Sequence, residues 1–392
     1  MEVSAPLPAL SQAETIHCER LTTRIHAEID AAGGWISFGR FMEMALYEPA
    51  LGYYSAGATK FGAAGDFITA PEISPLFSRC LARQCADVLL TLEHPVILEI
   101  GAGSGTMAAD VLNELETLGA LPERYLILEV SADLRERQLA RLAATAARHL
   151  KRVAWLDALP APFTGVMLAN EVLDAMPVER FRVRANTVNA TGVSWQLNRL
   201  DWSETRAQGE LLKKVRAIEK ELGEPLPDGF TSEVSLRVRP WLGALAKVLR
   251  AGVMLFIDYG LPRRQYYRPE SASGTLLCHF RHRYHDDPFF AVGLQDIGAW
   301  VDFTEVAEAG VAAKLDVAGF TTQAHFLMGL GIDRLLAQIG ERELVDRVSV
   351  ARQAMMLTLP GEMGERFKVL GLSRGLQAPL AGFALRDLAA TL

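Results

Sequence analysis

The stretch VILEIGAGSGT at residues 96–106 decides the fold that we expect for this chain. Residues typical of a buried strand lead into Gly101, Gly103 and Gly105, and a sequence with helical spacing follows. Glycines in such a turn allow the backbone to approach a ligand closely, and the N-terminus of the helix directs its N–H groups towards it. A tight strand–helix turn without a ligand would need the same glycines, so the pattern alone leaves both interpretations open.

Strand and helix patterns alternate along the chain around this turn. Apolar runs predict strands at residues 96–100, 125–130, 153–156, 165–169 and 253–258. Helical spacing predicts helices at residues 106–118, 132–150 and 235–249. Strands that alternate with helices in this way are joined by right-handed crossovers, so we expect an α/β fold with a doubly wound, mostly parallel sheet.

The remaining segments predict additions to this core. We expect a helix at 12–31, a long loop at 38–75, a β-hairpin at 179–200 with its turn near 189–192, a charged helix at 209–222, a loop at 261–300 and a mostly helical C-terminal region, clearest at 326–336 and 341–357. We therefore divide the chain into an N-terminal segment 1–75, a ligand-binding core 76–178, an inserted hairpin with helices 179–250, and a C-terminal region 251–392 that opens with the fifth strand.

Acidic residues at the strand ends indicate which ligand the glycine turn would bind. Thr106 stands where the dinucleotide pattern GxGxxG requires glycine. Glu99 would repel a pyrophosphate but attract a ligand that carries an ammonium and a sulfonium, and Glu129 can accept hydrogen bonds from ribose hydroxyls. Asp157, after the third strand, fits contact with an adenine amino group or is an ordinary loop acid. Together these residues favour S-adenosylmethionine over NAD.

The fourth strand leads directly into NEVLDAMP at residues 170–177. In an open parallel sheet, ligands bind beyond the carboxyl ends of the strands, so this turn should face the same crevice as the glycines. Glu171 and Asp174 would then lie beside the reacting methyl group, with Asp258 at the end of the fifth strand as a third carboxylate. Helix capping by Asn170 or Asp174 is the structural alternative.

Composition excludes several classes of protein. The 47 acidic and 40 basic residues give a net charge of −7, and no Lys/Arg-rich stripe occurs, which argues against nucleic acid as a partner. The four cysteines form no CxxC pair and are expected to be buried thiols. Residues 1–20 lack a basic segment followed by an apolar one, and no apolar run is long enough to span a bilayer. We expect a cytoplasmic protein without membrane insertion.

Residues 278–287 contain side chains that resemble metal ligands, among them Cys278, His279, His282 and His285. Gly274 and the proline at 288 suggest a loop, and nothing fixes these side chains on one rigid face. We therefore expect no metal, and a loop that lines the active site with His282 or His285 near the acceptor.

Several strings of this sequence occur in the order known from one family. They are YEP and GYY within 47–54, GDFITAPEIS at 65–74, EIGAG at 99–103, EVS at 129–131, NEVLDAMPV at 170–178, IDYG at 257–260, GTL at 274–276, VDF at 301–303 and GERFKVL at 364–370. The chain resembles the MidA-like family over residues 36–371. It departs from the family pattern at Val292 and Gly298, where the family has Pro and Thr.

The resemblance implies a Rossmann-like class I methyltransferase sheet with an N-terminal extension, an inserted hairpin and helical segment, and a helical C-terminal region. The mitochondrial members are assembly factors of respiratory complex I that symmetrically dimethylate an arginine. A protein substrate is therefore implied, with a complex I subunit as one candidate, and a homodimer stays open. The expected cofactor-binding residues are Asp66, Thr69, Glu99, Gly101, Gly103, Glu129, Asp157 and Asn170. The expected catalytic residues are Glu171, Asp174, Asp258 and His282.

Two other functions remain open at this point. The first is a non-catalytic assembly factor that keeps the fold and only binds a partner, and the second is a methyltransferase that acts on a small molecule. A pure scaffold has no need of Glu99, the glycine turn and Glu129, so these residues speak against the first. A methyl group found on a protein rather than on a metabolite would exclude the second.

Overall fold

The computed structural model describes residues 7–56, 69–338, 344–376 and 378–392. In chain order, the strands β1 to β16 are Ile36–Ser37, Val96–Ile100, Arg124–Leu128, Val153–Leu156, Phe163–Asn170, Glu179–Arg184, Thr187–Gln196, Arg199–Arg206, Thr231–Val234, Leu249–Leu261, Leu277–Phe280, Arg283–His285, Asp296–Gly298, Val301–Asp302, Asp316–Thr322 and Phe367–Arg374. The helices α1 to α14 are Gln12–Ala31, Phe38–Tyr47, Ala70–Ile73, Pro75–Leu89, Thr106–Thr117, Ala132–Thr145, Gly209–Leu222, Val238–Val248, Arg263–Tyr266, Phe303–Ala312, Gln323–Gly329, Ile332–Ala337, Leu344–Thr358 and Met363–Arg366.

These elements form two compact units, each assembled from three separate segments of the chain. The smaller unit comprises the described residues of Met1–Phe67, Asp174–Val238 and Leu261–Asp302. The larger unit comprises those of Ile68–Leu173, Arg239–Gly260 and Phe303–Leu392. Each unit therefore combines segments that are far apart in the sequence.

The larger unit is built on a sheet with the strand order β15-β16-β10-β5-β2-β3-β4. The five strands β10, β5, β2, β3 and β4 are parallel to one another. Strand β16 is antiparallel to both of its neighbours, β10 and β15, so β15 runs in the same direction as the five. The predicted parallel core is thus confirmed. The chain runs outward from β2 to β3 and β4 and then returns to β5 on the other side of β2. This reversal creates a switch point at the carboxyl ends of β2 and β5, where open α/β sheets bind their ligands.

The central strands are apolar because both faces of the sheet are covered. Ile97 and Leu98 of β2 and Val166 and Leu168 of β5 are each 0% exposed. Parallel strands buried on both faces have continuous apolar sequences rather than alternating ones. This explains why the central strands were recognisable in the sequence.

The C-terminal region contains the expected helices, and it also contributes two strands that the sequence did not predict. Strands β15 and β16 pair over a register that runs from Asp316↔Ser373 to Thr322↔Lys368, and β16 pairs with β10. Besides these strands, the described residues of the region form the helices α10 to α14. Val369, Leu370 and Leu372 of β16 are completely buried, so their apolar run belongs to the sheet.

The expected loop at 38–75 begins with a helix. Ser37 caps α2 by accepting a hydrogen bond of 3.2 Å from the backbone N–H of Arg40. Seven of the ten α2 residues are buried, and its charged residues Arg40 and Glu43 lie one turn apart, so the helix keeps only a narrow polar stripe.

The smaller unit contains an antiparallel sheet of order β1-β7-β6-β9, with β8 paired to β7. The predicted hairpin exists, but its turn is not near 189–192, which lies inside β7. The turns are at Ala185-Asn186 and Leu197-Asn198, where both residues of each pair have positive φ, as the two-residue type I′ turn requires. A further sheet of order β12-β11-β13 occupies part of the expected loop at 261–300.

Other predicted helices match closely. Helix α1 spans Gln12–Ala31 and begins with a reciprocal capping box between Ser11 and Glu14. Helix α7 spans Gly209–Leu222. Within the described ranges, no helix is both long and apolar enough to cross a membrane.

Candidate cofactor-binding and active site

The glycine turn follows β2 at the switch point of the larger unit. Gly101, Gly103 and Gly105 have φ values of 68°, 53° and 83°, in the left-handed region that favours glycine. A Cβ atom on Gly101 would lie 3.2 Å from Cγ2 of Val172. Gly105 is the N-cap residue of α5, so the turn ends at a helix N-terminus, whose first N–H groups have no partner within the helix.

Glu99 lies in β2, directly before this turn, and is completely buried. Its Oε2 accepts a hydrogen bond of 2.6 Å from the hydroxyl of Tyr125. Its Oε1 has no hydrogen-bond partner among the described residues. Burial raises the pKa of Glu99 to about 7, while the bond from Tyr125 lowers it and the charge of Glu129 raises it. A buried carboxylate oxygen without a donor is a place for a cationic ligand group.

Glu129 follows β3, the neighbour of β2, and is 6% exposed. Its Oε1 accepts a hydrogen bond of 2.9 Å from the backbone N–H of Ser131, and its Oε2 accepts one of 3.1 Å from Nε2 of Gln138. Burial raises the pKa of this carboxyl, and these bonds lower it. The carboxylate is therefore held in one orientation, and each oxygen keeps a further lone pair for a ligand hydroxyl.

Asp157 follows β4, and its side chain is 91% exposed. It forms an ion pair of 2.7 Å with Arg135, whose guanidinium also donates to the backbone oxygens of Glu129 and Leu156. Arg135 thus connects the ends of β3 and β4. Contact between Asp157 and an adenine amino group stays a prediction.

Asn170 ends β5, and Glu171 begins the turn that follows, beside the end of β10. The backbone N–H of Glu171 donates to the oxygen of Ile257 at 2.9 Å. Asp258 accepts hydrogen bonds of 3.0 Å from the backbone N–H groups of Leu173 and Tyr259. Asp258 is 1% exposed. Its buried carboxylate therefore holds the turn after β5 through the backbone N–H of Leu173.

Glu171 has a φ of 53°, which is uncommon for a residue with a side chain. Nδ2 of Asn170 donates to its Oε1 at 3.2 Å. Oδ1 of Asn170 is buried and has no hydrogen-bond partner among the described residues. A left-handed residue beside a buried acceptor is typical of a functional turn that the surrounding fold holds in place.

Thr69 and Glu72 bring a segment from before α4 to the glycine turn. Thr69 is the N-cap residue of α3, and its backbone oxygen accepts a hydrogen bond of 2.9 Å from Glu72. The carboxylate of Glu72 accepts a hydrogen bond from the hydroxyl of Ser104. Glu72, three residues after Thr69, therefore anchors the glycine turn through Ser104. Asp66 lies outside the described residues.

Asp174 and His282 belong to the smaller unit. Asp174 is 6% exposed, and its backbone oxygen accepts a hydrogen bond of 3.2 Å from Ala299. His282 is exposed in the turn between β11 and β12, with a φ of 60°. The catalytic roles of both residues stay predictions.

The sequence analysis missed Tyr125, Gln138, Arg135 and Glu72. Gln138 had a signal, because it occupies the middle of the buried stripe Leu134, Gln138, Leu142 on α6. A polar residue at such a position usually has hydrogen-bond partners that compensate its burial.

These residues fit S-adenosylmethionine. The buried, unpartnered oxygens of Glu99 and Asn170 can accept hydrogen bonds from an ammonium group, and the fixed carboxylate of Glu129 can accept them from ribose hydroxyls. In the part of the chain that the structure describes, no group of three or more His, Cys, Asp or Glu side chains could hold a metal ion.

The fold and the site define a class I S-adenosylmethionine-dependent methyltransferase. Residues 80–321 match the profile of a family of S-adenosyl-L-methionine-dependent methyltransferases, and the chain belongs to this family. A structure from Burkholderia thailandensis with S-adenosylhomocysteine bound is 40% identical, with a TM-score of 0.93, and the match covers 99% of this chain and 100% of that chain. The resemblance to MidA-like methyltransferases and the expected cofactor are therefore confirmed.

Relatives with named activities are more distant. The protein arginine methyltransferase NDUFAF7 homolog, mitochondrial, of Drosophila melanogaster is 28% identical over 96% of this chain and 91% of its own length. The protein arginine methyltransferase NDUFAF7, mitochondrial, of Danio rerio is 28% identical over 90% of this chain and 89% of its own length.

Proposed function

We propose that this methyltransferase transfers methyl groups to arginine side chains of a protein. The observation that carries the proposal is the carboxylate-bearing turn after β5. Asp258 fixes this turn through the backbone of Leu173, and Glu171 stands on it in a left-handed conformation. The turn follows the strand next to β2, whose end carries the glycines. A negatively charged side chain at this point suits a cationic acceptor.

An arginine acceptor needs such a carboxylate for a chemical reason. A guanidinium has a pKa above about 12 and carries its charge at all physiological pH values. It becomes a usable nucleophile when a carboxylate holds the charge and aims one nitrogen at the methyl group. Glu171 performs this task in the proposal. Bound S-adenosylmethionine supplies a methyl group activated by a sulfonium.

The residues of the chain contribute positioning and electrostatics rather than a covalent step. Glu99 and Asn170 accept hydrogen bonds from the ammonium end of the cofactor, and Glu129 accepts them from the ribose. The cofactor is then held at both ends while Glu171 orients the acceptor, which brings the two reacting groups into line.

The relatives support a protein as substrate. Those reported above are named protein arginine methyltransferases, and the match extends over most of their length. The motifs shared with the MidA-like family make subunits of respiratory complex I the first substrates to test.

The test compares the proteome of the source cell with and without this chain, followed by methylation of the identified protein by the purified enzyme. Mass spectrometry should find an arginine that carries methyl groups only when the chain is present. Methyl groups on lysine, on a carboxylate or on a metabolite would overturn the proposal. Cofactor binding without any methylated product would favour a non-catalytic assembly factor.

A further inference from the structure

Gln138 is a completely buried polar residue in the larger unit, and the cofactor-binding roles assigned so far do not include it. It lies on α6 between Leu134 and Leu142, which are also buried, and thus occupies a position where helices of this type carry an apolar side chain. Burying an amide is unfavourable unless both of its ends find hydrogen-bond partners. The partners of Gln138 therefore indicate why glutamine stands here.

The side chain of Gln138 connects three parts of the site. Its Nε2 donates hydrogen bonds of 3.1 Å to the backbone oxygen of Gly103 and of 3.1 Å to Oε2 of Glu129. Its Oε1 accepts a hydrogen bond of 2.8 Å from Nε1 of Trp155. The glycine turn, the carboxylate after β3 and the strand β4 thus meet at one amide group.

Trp155 determines which way the amide points. An indole N–H can only donate, so the atom of Gln138 that faces it must be the oxygen. The NH₂ group is then directed to Glu129 and Gly103, where two acceptors need two donors. A reversed amide would place its NH₂ group against the N–H of Trp155, with two donors facing each other. The orientation of the Gln138 amide is therefore fixed.

The backbone of Gln138 also packs against the turn. A Cβ atom on Gly105 would lie 3.0 Å from Cα of Gln138, which is closer than an ordinary contact, so the helix and the turn approach most closely with glycine at this position. Glu129 is meanwhile held from the other side by the backbone N–H of Ser131. One side chain therefore restricts both the carboxylate and the glycine turn.

We propose that Gln138 is a positioning residue that aligns the carboxylate of Glu129 with the ribose hydroxyls of the cofactor and couples this carboxylate to the glycine turn. The proposal rests on the predicted contact between Glu129 and the ribose. Asparagine is one methylene shorter and cannot span the three partners. Glutamate keeps the oxygen for Trp155 but replaces the donor to Glu129 by a second carboxylate.

The experiment measures the dissociation constants of S-adenosylhomocysteine and of its 2′-deoxy and 3′-deoxy ribose analogues by calorimetry. The proteins are the wild type, Gln138→Leu, Gln138→Glu and Glu129→Ala. Gln84→Leu is the matched control, because Gln84 is also 0% exposed and accepts a hydrogen bond of 2.8 Å from the backbone N–H of Gly382.

The wild type and Gln84→Leu should bind at least one deoxy analogue about tenfold or more weakly than the parent ligand, the loss typical of a hydrogen bond to a charged group. Gln138→Leu should bind the parent ligand more weakly and should discriminate less than about threefold between ligands. Equal discrimination in Gln138→Leu and the wild type would overturn the proposal. A residue that only filled space would leave the discrimination unchanged.

Gln138→Glu supplies a second readout that does not depend on the leucine variant folding. The carboxyl group that this substitution introduces can donate to Glu129 when it is protonated, whereas its ionised form repels Glu129. The ratio of the dissociation constants of this variant and the wild type should therefore fall as the pH is lowered from about 8 to about 5.5. A ratio that is independent of pH would contradict the proposal. Full ribose discrimination in Glu129→Ala would instead show that the predicted ribose contact, on which the proposal rests, is wrong.

Discussion

The hydroxyl of Tyr125 donates a hydrogen bond of 2.6 Å to Oε2 of Glu99, and both side chains are completely buried. The bond leaves Oε1 of the same carboxyl without a partner among the described residues. Because burial raises the pKa of Glu99 to about 7, the carboxyl titrates within the physiological range before the cofactor arrives. The stability of the cofactor-free protein should therefore favour the neutral form of Glu99, whereas binding of the cationic cofactor should favour its ionised form.

The first prediction concerns the pH dependence of cofactor affinity. A cationic ligand favours the ionised form of Glu99, so affinity for S-adenosylmethionine should fall by about tenfold as the pH is lowered from about 8 to about 6. Glu99→Gln should bind more weakly at pH 8 and lose this dependence. Calorimetry at several pH values measures both effects. An unchanged pH profile in Glu99→Gln would assign the titration to another group.

The second prediction concerns the stability of the cofactor-free protein. The pKa of Glu99 in the folded protein, about 7, is above its ordinary value of about 4.5, so burying this residue becomes less favourable as the pH rises from about 4.5 to about 7. Glu99→Gln removes the buried charge and keeps an acceptor for Tyr125. It should raise the free energy of unfolding at pH 8 by on the order of 3 kcal/mol, with little effect at pH 4.5. Urea denaturation without cofactor measures this, and a variant less stable than the wild type at pH 8 would contradict it.

The third prediction uses Tyr125 to shift the titration of Glu99. Tyr125→Phe removes the hydrogen bond that favours the ionised carboxyl, so the pKa of Glu99 and the pH midpoint of cofactor binding should both rise. Tyr266→Phe is the matched control, since this buried tyrosine interacts with Thr275 in the smaller unit. A midpoint that moves equally in both variants would indicate a general loss of stability instead.

The fourth prediction separates the backbone strain at Gly101 from its role in binding. Gly101→Ala and Gly223→Ala both place a side chain at a left-handed position, with φ values of 68° and 84°. Each should therefore cost about 1–2 kcal/mol of stability. A Cβ atom on Gly223 meets no atom within 4 Å, whereas one on Gly101 lies near Val172. Only Gly101→Ala should weaken cofactor binding, and equal affinity in the two variants would remove Gly101 from the site.

The parallel core could be predicted because its signals are local. Each strand of this core is a short apolar run that can be recognised in the sequence, and Glu99 and Glu129 stand at the ends of two of these strands. Strands β15 and β16 gave no such signal. Their paired residues Thr322 and Lys368 are 46 positions apart in the sequence. The pairing of these two strands can therefore be recognised only in the folded sheet.

The supporting residues of the site were hidden for a similar reason. The bond between Gln138 and Gly103 joins residues 35 positions apart, and that between Ser104 and Glu72 joins residues 32 apart. A single sequence identifies residue types that can bind a ligand, but it does not specify which distant side chains hold them. The hairpin turns were misplaced because Ala185 and Leu197 are not typical turn residues, although each is followed by an asparagine.

The last prediction concerns the acceptor. If arginine is methylated, Glu171→Gln should reduce the single-turnover rate by about 10²–10³, comparable with the loss of one preorganised electrostatic contact. Glutamine keeps an oxygen for Nδ2 of Asn170, so the turn should stay intact and cofactor affinity should change little. The measurement is single-turnover methylation of the identified substrate, with cofactor affinity determined on the same protein.

A glycine variant tests the same residue without adding strain. Glu171 adopts a φ of 53° and Lys314 one of 66°, so Glu171→Gly and Lys314→Gly should each keep or increase the free energy of unfolding, by up to about 1 kcal/mol. Only Glu171→Gly should lose turnover, because Lys314 is an exposed residue just after the end of α10. A more stable but inactive Glu171→Gly would mean that the strain at this turn is retained for catalysis. Near-normal turnover in both Glu171 variants would exclude this carboxylate from acceptor binding, while the cofactor site around Glu99 and Glu129 would be unaffected.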